Sequence, residues 1–140
     1  TLDLLKEAGV EYVCDWVNDD LPYKFNNGLY SIPYSLELND MPLFNIASIS
    51  ITDFERRIRD AFDVLYEEGA TNGRVLGIAL HPFLIGQPHR MRAFEAALDY
   101  ITAHDGVWVT TAAEIAEHYI THHLADFRQA IAAHKRKEKA

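Results

Sequence analysis

His81 is the residue best placed to do chemistry. It follows the apolar run Val75-Leu76-Gly77-Ile78-Ala79-Leu80 and precedes Pro82. A short apolar run bounded by turn residues reads as a buried strand. Proline then stops the ladder, so the imidazole falls at the carboxyl end of that strand. In α/β proteins that end is where active sites collect. An imidazole there suits proton transfer. The competing reading is a buried histidine bonded to a backbone carbonyl.

A second set of polar groups follows the strand Val10–Cys14. Asp15, Asp19 and Asp20 cluster in one stretch, with Trp16 and Tyr23 beside them. Clustered carboxylates hold cations or shift one another's ionisation. They also cap turns or face water. The aromatics form either a ligand wall or part of the core. The stretch is long for a connection, and long loops at strand ends favour ligand contact.

Two further groups are weaker. His118 and His122 lie four apart, with Glu114 one turn earlier, a spacing that can bind zinc. No further ligand is supplied nearby, and helix-surface histidine pairs are common. Cys14 is the chain's single cysteine, so no internal disulfide forms. On a strand it reads as a small buried hydrophobe. No glycine-rich phosphate loop, nucleophile elbow or paired-cysteine zinc motif is present.

Alternating elements position these groups. Leu2–Ala8 reads as an amphipathic helix ended by Gly9. Leu29–Tyr34 reads as a short edge strand, because Pro33 excludes a central one. Glu37–Pro42 reads as loop. Thr52-Asp53-Phe54-Glu55 reads as a capping box opening a helix that Gly69 ends. Phe54, Ile58, Ala61, Phe62 and Leu65 give that helix its apolar face. After His81 comes a helix with Met91, Phe94, Leu98 and Ile101 on one side. Val107–Val109 reads as a strand. Thr111–Glu114 is a second capping box, and Ile120, Leu124, Phe127 and Ile131 stripe the last helix. Strands alternating with helices predict parallel pairing with right-handed crossovers. No repeat or domain boundary is evident.

The 140 residues predict one domain or part of one. The chain opens on a crossover helix with no strand to feed it. The expectation is therefore a piece of a larger α/β domain. Net charge is −8, and from Thr1 to Ser50 Lys6 and Lys24 face eight acids. That argues against nucleic-acid and anionic-membrane surfaces. The basic tail Lys135-Arg136-Lys137-Glu138-Lys139 reads as a solvated helix end. No apolar stretch is long enough to span a bilayer. A lone cysteine fits a reducing compartment, hence a cytoplasmic location.

Taken in order, several segments resemble the polysaccharide deacetylase superfamily, in its allantoinase-like and peptidoglycan-deacetylase-like branch. They are Asn18–Tyr23, Ile32-Pro33-Tyr34, Asn39-Asp40, Phe62–Tyr66, Leu80–Gly86 and Val107-Trp108-Val109. The likeness runs from Thr1 to about Tyr119. It implies the C-terminal half of a distorted (β/α) barrel over residues 1–140, with a terminal helix and basic tail over 121–140. It also implies hydrolysis of carbon–nitrogen bonds other than peptide bonds. His81 matches the histidine that protonates the leaving nitrogen. Asp15, Trp16, Asp19, Asp20, Tyr23, Asn39 and Asp40 become candidate substrate contacts. The family's early motifs, an aspartate base and an aspartate–histidine metal site, belong upstream of Thr1. Any divalent metal, zinc foremost, would thus be held by an N-terminal half, and His118 and His122 are not assigned to it. The implied substrate is a small-molecule or carbohydrate amide, and open sheet edges imply a homo-oligomer. The alternative is a non-catalytic carbohydrate- or ureide-binding barrel.

Overall fold

The computed structural model describes residues 1–129, so the basic tail and Ile131 lie outside the described residues. The described chain is α/β and divides into two compact units. One comprises Thr1–Val13, Pro22–Ile32 and the chain from Thr110 on. The other comprises Cys14–Leu21 and Pro33–Val109. No closed barrel is seen among the described residues.

The first unit holds helix α1 (Leu2–Glu7), strands β1 (Tyr12–Val13), β2 (Tyr23–Lys24) and β3 (Tyr30–Ser31), and helix α6 (Ala112–His122). The sheet order is β1-β3-β2. β1 runs parallel to β3, with Tyr12 opposite Tyr30. β2 runs antiparallel to β3, with Tyr23 opposite Ser31. The sheet is therefore mixed, where strand–helix alternation predicts an all-parallel one. Asn26-Asn27-Gly28 explains the difference: Gly28 takes φ +93, and a tight turn folds β2 back on β3. The expectation of an edge strand also fails, since β3 is central. Its ladder ends where the Ile32 amide bonds Val13 O, one residue before Pro33 would break it. Thr111 caps α6 in the predicted box, with its hydroxyl on the Glu114 amide and the Glu114 carboxylate on the Thr111 amide.

The second unit is built on helices α2 (Asp40–Asn45), α3 (Ile51–Glu68), α4 (Pro82–Ile85) and α5 (Pro88–Thr102). Its core joins Leu38, Leu43, Phe54, Ile58, Phe62, Ile85, Ala97 and Ile101. The helix face predicted from Phe54, Ile58 and Phe62 is the buried face of α3. Its cap is Ser50, not Thr52. The Ser50 hydroxyl accepts from the Asp53 amide and donates to the Asp53 carboxylate. On α5, Ala97 and Ile101 are buried while Leu98 is exposed. Arg59 clamps the α3–α5 pair: it bonds Glu55 and the Ala96 carbonyl and lies 4.6 Å over the Tyr100 ring.

Three further expectations change. The run Val75–Leu80 is half-buried up to Ala79, with Leu80 exposed, and forms no ladder among the described residues, only a parallel bridge between Ala79 and Asn39. Val107–Val109 forms no strand either. Neither run is buried in this chain, with Leu80, Trp108 and Val109 exposed, and a strand also needs a bonded neighbour. The segment Glu37–Pro42, expected as loop, instead leads into α2. Pro42 is tolerated because it sits in the first helical turn, where no amide donor is needed.

Candidate active site

Asn39 and Asp40 start the site. Asn39 caps α2: its Oδ1 accepts from the Met41 amide at 3.0 Å, and its Nδ2 donates to the Tyr34 hydroxyl at 2.6 Å. The bridge to Ala79 aligns two chain segments. The Ala79 amide bonds Leu38 O, and the Asp40 amide bonds Ala79 O, both at 3.1 Å. Gly77, two residues before the bridge, lies against the Pro33–Tyr34 main chain, where a Cβ would sit 3.3 Å from the Pro33 carbonyl oxygen. The chain then reaches His81 two residues beyond the bridge.

The bridge brings Asp40 and His81 together across 41 residues of sequence. Asp40 is fully buried. Its Oδ1 lies 2.6 Å from His81 Nδ1, and its Oδ2 accepts from the His81 backbone amide at 2.9 Å. Both oxygens are thus spent on one residue. A carboxylate accepts hydrogen bonds, so Nδ1 carries a proton, and Nε2 is left as the working nitrogen. The His81 side chain is 32% exposed, so the ring can meet a solute.

The chain beyond His81 is equally fixed. Pro82 opens α4, and His81 O accepts from the Leu84 and Ile85 amides at 2.8 and 3.0 Å. Ile85 anchors α4 in the core. An oriented imidazole with a buried carboxylate behind it and an accessible nitrogen ahead can deliver or take a proton at a fixed point.

No family model matches the chain. It is 38% identical over 124 residues to a Schizosaccharomyces pombe protein (strain 972 / ATCC 24843) ascribed to the polysaccharide deacetylases, covering 78% of this chain and 38% of that one. Among solved structures, Puue allantoinase superposes with TM-score 0.80 and 39% identity, over 86% of this chain and 42% of that one. A Pseudomonas aeruginosa PAO1 protein ascribed to the polysaccharide deacetylases superposes with TM-score 0.78 and 40% identity, over 86% and 42%. The chain is related to the polysaccharide deacetylase and allantoinase superfamily. It spans well under half the length of these superfamily relatives.

Against that superfamily background, the other predicted residues separate. Asp15, Trp16, Asp19 and Asp20 fall in the unit that holds His81, and all four are exposed. Tyr23 falls in the other unit, in β2. The Asp19 carboxylate accepts from the Leu21 amide, a local turn bond. Asp20 O accepts from the Val75 amide, six residues before His81. Asp20 lines a cavity of about 250 Å³ with Tyr34, Arg57, Asp60 and Leu76, and His81 is not part of that lining. Asn39 and Asp40 do come together with His81, through the Ala79 bridge.

Cys14 is half-buried, and burial first, then the Asp15 charge, pushes its thiol pKa up. That disfavours the thiolate a nucleophile needs. The rings of His118, His122 and His123 lie near one another in the first unit. Among the described residues no group of three or more His, Cys, Asp or Glu side chains is placed to hold a metal ion. Nor is any described helix long and apolar enough to cross a membrane.

Proposed function

We propose that the chain is the C-terminal part of a barrel hydrolase that cleaves carbon–nitrogen bonds other than peptide bonds, with His81 protonating the leaving nitrogen. The Asp40–His81 pair carries this reading. In the acid role the ring is doubly protonated, with Nδ1–H on Asp40 and Nε2–H toward the substrate. Attack on the carbonyl carbon, by a group outside this chain, gives a tetrahedral centre. As its carbon–nitrogen bond breaks, the Nε2 proton passes to the departing nitrogen, and the ring returns to its neutral Nδ1–H form. Asp40 holds the ring throughout and does not itself transfer a proton.

The relatives' names support two substrate classes, N-acetylated sugars and cyclic amides. Asp15, Trp16, Asp19, Asp20, Tyr23 and Asn39 are the further candidates for substrate contact. The reading also includes a cytoplasmic, homo-oligomeric protein, supported by lone Cys14 and by the short open-edged sheet.

The test uses the whole protein. Acetate release from N-acetylated oligosaccharides and ring opening of allantoin are measured for wild type and His81→Asn. The expected result is turnover of one class, reduced roughly 10²- to 10⁴-fold in the variant, the usual range for a positioned proton donor. Unchanged turnover in His81→Asn would refute the assignment.

A further inference from the structure

Phe83 stands beside His81 and is 62% exposed, although Ile85, two residues on in the same helix, is buried. Its ring meets the His81 ring edge-on, with centroids 5.6 Å apart and planes at 67°. An exposed phenylalanine contributes little to a core. Yet the four-residue helix that carries it is pinned from several directions. Gln87 Nε2 donates to the Phe83 carbonyl at 3.0 Å. Arg90 Nη1 donates to the Leu84 carbonyl at 2.8 Å, and its guanidinium lies 4.3 Å over the Phe44 ring. Pro82 fixes the first turn, and His81 O accepts from the Leu84 and Ile85 amides. The main chain that carries Phe83 is therefore fixed next to the imidazole, and the phenyl ring leans edge-on against the His81 ring; a fixed backbone lowers the entropic cost of presenting that ring to a ligand.

We propose that Phe83 is a specificity-determining platform for a cyclic substrate, whose ring lies against the phenyl face while the scissile nitrogen reaches His81 Nε2. This deepens the hydrolase reading and rests on it for the position of the nitrogen. The shared chemistry is a ring with an apolar or π-rich face, found in a planar cyclic imide and in the C–H face of a pyranose. Aromatic faces attract both, whereas an open-chain amide offers no such surface.

Binding to the whole protein is read from Phe83 ring-proton shifts, with hydantoin, N-acetylglucosamine and open-chain N-acetylethanolamine as probes. One cyclic probe is expected to bind and to shift the Phe83 signals. Which of the two binds identifies the source of the ring. Phe83→Leu should raise Kd for that probe roughly tenfold, the size of one lost aromatic contact, and Phe83→Trp should restore it. Affinity for N-acetylethanolamine should not change in either variant. Melting temperatures of the variants separate a packing role from a binding role. Failure of both cyclic probes to bind would overturn the proposal, as would equal affinity in Phe83→Leu. An equal loss for cyclic and open-chain probes, with a lowered melting temperature, would make Phe83 scaffold. Phe83-dependent binding without turnover would refute the hydrolase reading and leave the platform standing.

Discussion

Both oxygens of the buried Asp40 carboxylate bond a single residue, His81: one takes the ring Nδ1–H, the other the backbone amide. The second bond matters as much as the first. A side-chain contact alone would let the ring swing with its own χ angles. Fixing the backbone amide with the same carboxylate ties ring and main chain to one rigid group at the start of α2. The helix N-terminus is also a favourable place for a negative charge.

Asp40→Asn should therefore change the tautomer of His81. Asparagine offers one acceptor oxygen and one donor amide where the aspartate offered two acceptors. The backbone amide of His81 cannot give up its proton, so it takes the oxygen. The asparagine NH₂ then faces Nδ1 and requires it to accept, moving the ring proton to Nε2. Nitrogen-15 NMR of the imidazole should show Nε2–H in the variant and Nδ1–H in the wild type. Turnover by the whole protein should fall by orders of magnitude, as expected when a proton-transfer histidine is held in the wrong tautomer. An unchanged tautomer would show that the pair does not orient the ring.

Truncating His81 has two consequences that must be separated. His81→Ala removes the proton donor and also strands Oδ1 of a fully buried carboxylate. The second effect should cost about 1–3 kcal/mol of stability, the penalty for an unsatisfied buried group. His81→Asn returns a donor, Nδ2, near the position of Nδ1. It should recover most of that stability and none of the activity. Denaturant midpoints and single-turnover rates on both variants make the comparison. Equal stability of the two variants would mean that the ring contact contributes nothing to folding.

The break at His81 is legible in the sequence because proline after an apolar run marks a boundary, here the start of α4 rather than the end of a strand, and a boundary is local information. The Thr111–Glu114 box was legible for the same reason. Ser50 was missed because Thr52 offers the same chemistry two residues later, and only the fold decides which hydroxyl meets a free amide. Asn39 and Asp40 enter as candidates through the family resemblance alone. Nothing in periodicity joins Asp40 to a histidine 41 positions away; the join depends on Ala79 lying beside Asn39. Strands at Val75–Leu80 and Val107–Val109 failed for a related reason. Neither run is buried in this chain, and ladders are set by distant partners that a local apolar pattern does not name.

Acid should weaken α6 through Glu114. Its carboxylate accepts from the Thr110 hydroxyl, then from the Thr111 amide and hydroxyl, and these bonds lower its pKa from the ordinary 4.5. A group whose folded pKa is depressed adds stability above its unfolded pKa and loses it as pH falls through the folded value. The contribution is thus intact above about pH 5 and fades below 4.5. Glu114→Gln can still cap the helix but cannot titrate. Urea midpoints between pH 3 and 6 should fall less steeply in Glu114→Gln than in wild type. Parallel curves would show that the capping carboxylate does not couple folding to pH.

Gly86→Ala should reach His81 through the backbone. Gly86 ends α4 with φ −71 and ψ 6, a conformation open to any residue, so left-handed strain is not at issue. The constraint is space: an added Cβ would lie 2.4 Å from the Pro82 carbonyl oxygen. That oxygen already accepts from the Gly86 amide at 3.0 Å, so it belongs to the helix and cannot simply turn away. Relief requires Pro82 or the end of α4 to move. Pro82 is bonded directly to His81, and a shift there tilts the imidazole against the buried Asp40. The expected cost is about 1–3 kcal/mol of stability, typical of a backbone clash at a packed position. Activity of the whole protein should fall as well, because small displacements of a positioned group reduce rates steeply. The His81 Nδ1–H proton resonance gives the decisive reading: it should weaken or shift in Gly86→Ala. A stable variant with that resonance unchanged would show that α4 adjusts without disturbing the pair.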